Sequence, residues 1–443
     1  MRGFLASSIG VTCAAALALP LTLPAAAAPA PASAAWSTSG ARTASTTAAP
    51  DLPGSTQSLP LTPRTRDRTL GAAPEQGLTR ADVHRFSLVG VTWSDPDTEL
   101  RGQVQVRTRA TGTGAWSGWQ DVDTHNEDHG ADPGTAERDS GHVHGSTAPL
   151  WVGDSDGVDV RVRANTAATR TVGNTDEQPS LLPTGLHLEL VDPGAAQAPS
   201  AGARPATANR TATPRLAATE LPALSRQATE RDMVALGAKA QPYIGPRPRI
   251  VTRHGWGADE KLREKGFVYT KKVKAAFVHH TATGNNYRCS QAPSVIRGIY
   301  RYHVKSSGWR DIGYNFLVDK CGTIYEGRAG GVAKAVMGAH TLGFNTDSMG
   351  IAVLGTFGSA KPSSAAVTAI AKLTAWKLGL YGVNPRGKTY LKSGGGNLYR
   401  KGKNVRLNVI SGHRDGFATE CPGRQLYGKL GSARSTSARY QGR

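Results

Sequence analysis

The sequence predicts a C-terminal α/β domain, with a mixed central sheet flanked by helices, preceded by a small all-β domain of sandwich or jelly-roll type and by disordered linkers. Three observations support this. Short alternating apolar segments fill the first half, strands and helices alternate in the second, and Ala/Pro/Thr-rich stretches separate the parts. The predicted boundaries are 1–35 for a signal peptide, 36–80 and 194–246 for linkers, 81–193 for the β domain, 247–428 for the α/β domain and 429–443 for a tail.

The N-terminus has the pattern of a secretory signal. Arg2 precedes an Ala/Leu-rich apolar run that Pro20 and Pro24 interrupt, and small residues follow at 28–35. The run is short for a transmembrane helix, and no later stretch approaches ~18 uncharged apolar residues. The pattern predicts a secreted, extracellular protein without a transmembrane segment.

The β domain is predicted from segments such as FSLVGVTW, GQVQVRTRA and GLHLELVD, which alternate and are bounded by Gly, Asp, Pro or Asn. This region also holds a group of histidines in a polar, Gly/Asp-rich stretch. Such histidines are more commonly solvated than metal-bound, and no known zinc-site spacing is present, so no metal site is predicted there. The histidines are His125, His129, His142 and His144.

The α/β domain is predicted from alternating element types. Strands are predicted at KAAFVHHTA, YNFLVDKCGTIYEG and SMGIAVLG, and helices at SQAPSVIRGIYRYHVKS and SSAAVTAIAKLTAWKLG. In the first helix, Val295, Ile299 and Tyr302 recur at helical spacing, which predicts a buried face, and Ser290 is the predicted N-cap.

Charge divides the chain unevenly. Residues 247–443 contain 33 Lys+Arg against 9 Asp+Glu, a net charge of +24, and the remainder carries −4. A basic domain is attracted to polyanions, and the alternative is a solvated surface that serves solubility alone. For an exported protein the expected polyanions are wall polymers or anionic glycans. The basic, glycine-rich run 386–406 is either a steering rim or a solvated loop.

The cysteines leave one thiol to explain. Once Cys13 leaves with the signal, Cys289, Cys321 and Cys421 remain, an odd number in an oxidising compartment. The segment ISGHRDGFATECPGRQL places Cys421 shortly after His413. A kinase catalytic loop is excluded because its companion motifs are absent. A disulfide and a metal site both remain open from these residues alone.

Four blocks occur in order between residues 249 and 426: VHHTAT, GWRDIGYNFLVDKCGTIYEGR, GAHTLGFNTDSMGIAVLG and GHRDGFATECPG. Together they resemble the peptidoglycan recognition protein and zinc-dependent N-acetylmuramoyl-L-alanine amidase family (phage-lysozyme-type amidases), in a secreted actinobacterial form. The resemblance implies one Zn²⁺ per chain, held by His279, His413 and Cys421, in a groove for the peptide stem of peptidoglycan. Non-catalytic receptors of the family lack that cysteine, so its presence favours an enzyme.

The resemblance also implies further roles. Tyr314 would be an oxyanion donor or proton-transfer group, and Thr419 would hydrogen-bond the reaction intermediate. A related branch has a glutamate where this chain has Ala352, which places more of the catalysis on Tyr314. The remaining family positions are the stem-groove candidates His303, Trp309, His340 and Asn345, the weaker candidates His280 and Arg328, and the implied disulfide pair Cys289 and Cys321.

The predicted function is a secreted zinc amidase that cleaves the bond between the muramoyl lactyl group and L-alanine of the stem peptide. The alternative is a non-catalytic protein that binds peptidoglycan. The expected partners are peptidoglycan and anionic wall polymers, not nucleic acid, and the protein is expected to be a monomer associated with the cell wall.

Overall fold

The computed structural model describes residues 54–64, 74–126, 128–165, 182–195, 218–235 and 242–443. The predicted signal peptide lies outside the described residues, as do parts of both predicted linkers. Among the residues described, no helix is both long enough and apolar enough to cross a membrane.

The N-terminal domain is a nine-stranded antiparallel sheet with the order β1-β9-β4-β8-β3-β2, in which β5 pairs with β8 and β6, and β7 pairs with β4. Its strands are β1 (Ser55–Pro60), β2 (Thr62–Pro63), β3 (Glu75–Arg80), β4 (Phe86–Trp93), β5 (Gly102–Ala110), β6 (Gln120–Val122), β7 (Gly145–Ser146), β8 (Leu150–Ala164) and β9 (His187–Asp192). Every residue of β4 is buried, so this strand forms the centre of the domain.

The sheet begins earlier than the predicted boundary at residue 81. Strands β1 to β3 come from the predicted linker 36–80, and β1 pairs with β9 along all six of its residues. These segments are short and rich in Ser, Thr, Gln and Pro, so their alternation is weak without the partner strand. Strand β8 is the longest of the domain, with 15 residues, and Gly153 adopts φ 75° near its start.

The C-terminal domain is built on a seven-stranded mixed sheet with the order β10-β11-β14-β13-β15-β12-β18. Its strands are β10 (Glu220–Leu221), β11 (Ile250–Val251), β12 (Ala275–His280), β13 (Phe316–Val318), β14 (Ile324–Glu326), β15 (Ser348–Val353) and β18 (Ile410–Gly412), with a separate hairpin of β16 (Lys388–Lys392) and β17 (Asn404–Asn408). Strand β12 lies between β15 and β18 and is parallel to both.

Five helices accompany this sheet in the described chain: α1 (Arg226–Ala235), α2 (Ala292–Arg301), α3 (Ser364–Gly379), α4 (Arg424–Tyr427) and α5 (Leu430–Gln441). Ser290 lies in a 3₁₀ turn before α2 and is not its N-cap, whereas Ser363 caps α3 by accepting a hydrogen bond from Ala366 N. Helices α1 and α5 arise from the predicted linker and tail. Leu430 and Ala433 of α5 are buried in the same core as α3.

A disulfide links two segments of the C-terminal domain, and side-chain packing links this domain to the β domain. Cys289 and Cys321 form a disulfide with an S–S distance of 2.05 Å. The β domain packs on α2, since Leu88 and Trp151 share an apolar cluster with Val295. The Tyr302 hydroxyl, in the π-helical turn that follows α2, donates to the carbonyl of Thr147 in the β domain at 3.1 Å. The two domains therefore form one continuous packed body.

Candidate metal centre

Two parallel strand ends bring the candidate histidines together. His279 lies near the end of β12, and His413 follows β18, which pairs with β12 up to Val278 and Gly412. The Nδ1 atoms of the two histidines are 3.1 Å apart. Cys421 follows in a turn, with its Sγ 3.8 Å from His279 Nδ1. All three side chains are buried.

These separations fit a tetrahedral cation. Two nitrogens each about 2.0–2.1 Å from a tetrahedral zinc are about 3.3 Å apart, and a nitrogen and a sulfur are about 3.6 Å apart. The His279–His413 and His279–Cys421 distances differ from these values by only a few tenths of an ångström. Imidazole and thiolate donors are the set that zinc prefers.

A chain of hydrogen bonds orients His279. The Ser348 hydroxyl donates to the carbonyl of Phe344 at 2.6 Å, so its oxygen is an acceptor for His340 Nε2 at 3.3 Å. His340 Nδ1 then accepts from His279 Nε2, also at 3.3 Å. This order leaves His279 Nδ1 unprotonated and directed at His413 and Cys421, as a metal ligand requires.

His413 is oriented from the other domain. Its Nε2 lies 3.1 Å from the backbone carbonyl of Asp128 and donates a hydrogen bond to it. The lone pair that can bind a metal is therefore on Nδ1. Burial lowers the pKa of His413 to about 3 and that of His279 well below its usual value, which keeps both rings neutral. Burial also raises the pKa of the Cys421 thiol. A bound cation reverses this effect, because metal ligation deprotonates a thiol.

The predicted catalytic residues lie beside this cluster. The ring of Tyr314 is 5.5 Å from that of His279, and burial raises its pKa well above the usual value, so the phenol keeps its proton. Thr419 Oγ1 accepts from Cys421 N at 3.1 Å. Tyr314, Thr419 and His280 line one small cavity next to Cys421.

The predicted groove residues occupy two kinds of position. The His303 and Trp309 rings are in tilted contact beside Tyr314, with centroids 4.3 Å apart. Asn345 and Arg328 lie on the side that faces the β domain. His340 is fully buried behind His279, so its geometry favours a positioning role over contact with a substrate.

One member of the cluster, His129, was not predicted from the sequence. The donor atoms of His129, His279, His413 and Cys421 all lie within 4.8 Å of one another. His129 is buried, contrary to the expectation of a solvated loop histidine, whereas His125, His142 and His144 are exposed. The only local signal was the adjacent Asp128, since metal-bound histidines commonly bond a carboxylate through their second nitrogen.

Comparison with known proteins places two parts of the chain in described families. Residues 269–424 match the family described as N-acetylmuramoyl-L-alanine amidase, and residues 42–182 match the family described as Rv3811 N-terminal galactose-binding domain-like. Peptidoglycan-recognition protein SC2 of Drosophila simulans is 31% identical over 183 residues, which are 41% of this chain and 84% of that protein. The chain belongs to the peptidoglycan recognition protein family.

Other members of the family give similar figures. Peptidoglycan-recognition protein SC1a of Drosophila melanogaster is 33% identical over 192 residues, which are 42% of this chain and 87% of that protein. The solved structure of Drosophila PGRP-LB is 26% identical, with a TM-score of 0.32 over 41% of this chain and 92% of that one. The two family matches and the sequence relatives confirm the predicted family and both predicted fold classes.

Proposed function

We propose that this family member is a zinc-dependent N-acetylmuramoyl-L-alanine amidase that hydrolyses the amide between the muramoyl lactyl group and L-alanine of the stem peptide. The observation that supports this most directly is the convergence of three metal donors, His279 Nδ1, His413 Nδ1 and Cys421 Sγ, in one buried place. A purely binding protein does not require a buried thiol between two oriented imidazoles.

The surrounding residues have the chemistry that such a reaction requires. A bound zinc supplies Lewis-acid chemistry, activating a water and polarising the scissile carbonyl. Tyr314, as a protonated phenol, donates a hydrogen bond to the oxygen of the attacked carbonyl, where negative charge develops. The Thr419 hydroxyl adds a second polar group at the same cavity. His340 and Asp128 hold the ligand imidazoles in their tautomers.

The proposed reaction takes place outside the cell. The substrate is peptidoglycan of a cell wall, reached after secretion, and the basic C-terminal domain is attracted to anionic wall polymers. The second candidate function, recognition of peptidoglycan without cleavage, is favoured only by the family membership, since the family name itself refers to recognition.

The decisive experiment uses the full chain, loaded with zinc and in molar excess over a soluble muropeptide, so that slow turnover is still recorded. Mass spectrometry should find a free peptide that begins with L-alanine and a glycan that ends in the lactyl acid. Cys421→Ser should lose both the zinc and the cleavage. Intact muropeptide that remains bound to the zinc-loaded chain would establish the recognition function instead.

A further inference from the structure

His129 has the environment of a metal ligand. Its Nδ1 lies 2.7 Å from Asp128 Oδ1 and donates to that carboxylate, while its Nε2 is buried without a hydrogen-bond partner. A nitrogen acceptor that is buried without a hydrogen-bond partner loses its hydration, and this destabilises the folded state. A metal-bound histidine usually donates one ring N–H to a carboxylate and binds the metal through the lone pair of its other nitrogen. His129 has the same carboxylate contact and the same available lone pair.

The position of His129 completes a four-donor set. Its ring centroid is 4.6 Å from that of His413 and 5.3 Å from that of His279, and one of its nitrogens lies within 4.8 Å of every other donor. Zinc sites with four protein ligands are closed, whereas catalytic zinc sites keep one position open for water or substrate. With His129 bound, the site has no open position.

We propose that His129 is a fourth ligand of the metal and that residues 123–126 and 128–144, here called the plug loop, hold the chain in a closed form. In this form the metal and the adjoining groove are inaccessible to peptidoglycan until the plug loop moves. The metal-ligand part stands without the proposed amidase activity, and the part about peptidoglycan rests on it.

The plug loop makes specific polar contacts with the groove. Asn345 Nδ2 donates to the Gly130 carbonyl at 2.9 Å and to Asp132 Oδ1 at 2.6 Å, and Gly343 N donates to the same carboxylate oxygen at 2.8 Å. Leu342 N donates to the Asp128 carbonyl at 2.9 Å. The loop therefore satisfies polar groups that a bound peptide would otherwise contact.

An ion pair secures the other end of the plug loop. Arg328 donates to both carboxylate oxygens of Glu137, at 2.8 and 2.9 Å, and both side chains are buried. Paired bonds of this kind are among the strongest in proteins and fix orientation as well as distance. Since Asn345 and Arg328 were both groove candidates, the loop covers the surface assigned to the substrate.

The cavity beside the metal-donor atoms is too small for a substrate. The cavity lined by His129, Tyr314, Thr419 and Cys421 has an accessible volume of about 10 Å³. This is about the minimum that a single water requires. A muropeptide cannot reach Tyr314 or the metal donors while the plug loop is in place.

The test asks whether the bound metal has an open coordination position. The full chain is loaded with Co²⁺, azide is then added, and the visible spectrum reports whether azide binds to the metal. The visible spectrum of the parent chain should not respond to azide, and His142→Ala, which changes an exposed histidine of the same loop, should behave identically. His129→Ala should bind azide with a clear spectral shift. Asp132→Ala, which loosens the loop and keeps His129, should show a smaller shift and guards against misfolding of the first variant.

Hydrolysis by the zinc-loaded proteins separates this proposal from the proposed function. Single-turnover cleavage of a soluble muropeptide should be about tenfold or more faster for His129→Ala than for the parent chain or His142→Ala, because the accessible form is no longer a minor population. A spectral shift in His129→Ala without cleavage by any variant supports the fourth ligand and overturns the amidase. If the parent chain binds azide and cleaves the muropeptide as well as His129→Ala and Asp132→Ala do, the proposed closure by the plug loop is overturned.

Discussion

The buried ion pair between Glu137 and Arg328 should dominate the attachment of the plug loop. Glu137→Gln keeps the size of the side chain and one acceptor oxygen but removes the negative charge. Arg328 then retains that amide oxygen and backbone acceptors, among them the Ile312 carbonyl at 2.9 Å. Burial lowers the pKa of Arg328, and the charge of Glu137 more than offsets this, so the pKa is raised in the parent chain. A guanidinium keeps its proton without that carboxylate, so Arg328 stays charged in the variant and has lost the Glu137 carboxylate.

The magnitude follows from burial. The two side chains are 3% and 5% exposed, and breaking such a pair by removing one partner costs about 3–5 kcal/mol. Because the amide oxygen is retained, we expect Glu137→Gln to lower stability by about 3 kcal/mol, the lower end of this range. If the loop opens so that Arg328 is hydrated, the same free energy raises the open population by about a hundredfold.

Two measurements detect these outcomes. Urea unfolding reports a global loss of stability, and limited trypsin digestion reports local opening, because Arg138 lies within the plug loop and cleavage of a transiently open segment follows its population. The matched control is Glu220→Gln, which breaks the exposed pair with Arg249 at 3.5 Å and should cost at most about 1 kcal/mol. If Glu137→Gln resembles this control in both assays, the plug loop is not held by the ion pair.

Four further predictions follow from the same structure. Tyr314→Phe should retain zinc but lose about 10²–10³ in single-turnover rate, and an unchanged rate would remove the phenol from the mechanism. Replacing both Cys289 and Cys321 by serine should lower the free energy of unfolding by about 3–4 kcal/mol, since they close a loop with a sequence separation of 32. The pKa of Lys377 is lowered by burial to about 7, so between about pH 7 and 10 the unfolded chain binds more protons than the folded one. Stability should therefore rise by up to about 1.4 kcal/mol per pH unit, and Lys377→Met should lose that slope in urea titrations. Adsorption to walls should weaken steeply with salt, because exposed charges are screened within ~8 Å, whereas cleavage of a small muropeptide should change little.

The sequence was most informative about the α/β domain. The apolar run AAFVHH became β12 and SMGIAV became β15, because strands buried on both faces are continuously apolar. The predicted strand YNFLVDKCGTIYEG is instead the hairpin of β13 and β14. Asp319 accepts from Thr323 N, and Gly322 adopts φ 84° between the two strands. The glycine at position 322 is a turn signal inside this apolar segment.

Elements that depend on distant partners were harder to predict. Helix α5 has few large apolar residues and packs through Ala433, Ser437 and Ala438, so its periodicity is weak until α3 is placed against it. Strand β1 similarly gains its pattern from β9. In both cases tertiary contact decided the conformation over local propensity.

His129 illustrates the limit most clearly. No periodicity relates residue 129 to residue 413, because their approach at 4.6 Å between ring centroids is produced by packing between domains. The charge distribution offered an indirect signal, since the N-terminal part carries a net −4 and the C-terminal part +24. Glu137 on Arg328 is one place where an acidic loop meets that basic domain. Part of the charge asymmetry that was assigned to an external polyanion thus acts within the chain, where its effect is short-range and resistant to salt because the pair is buried.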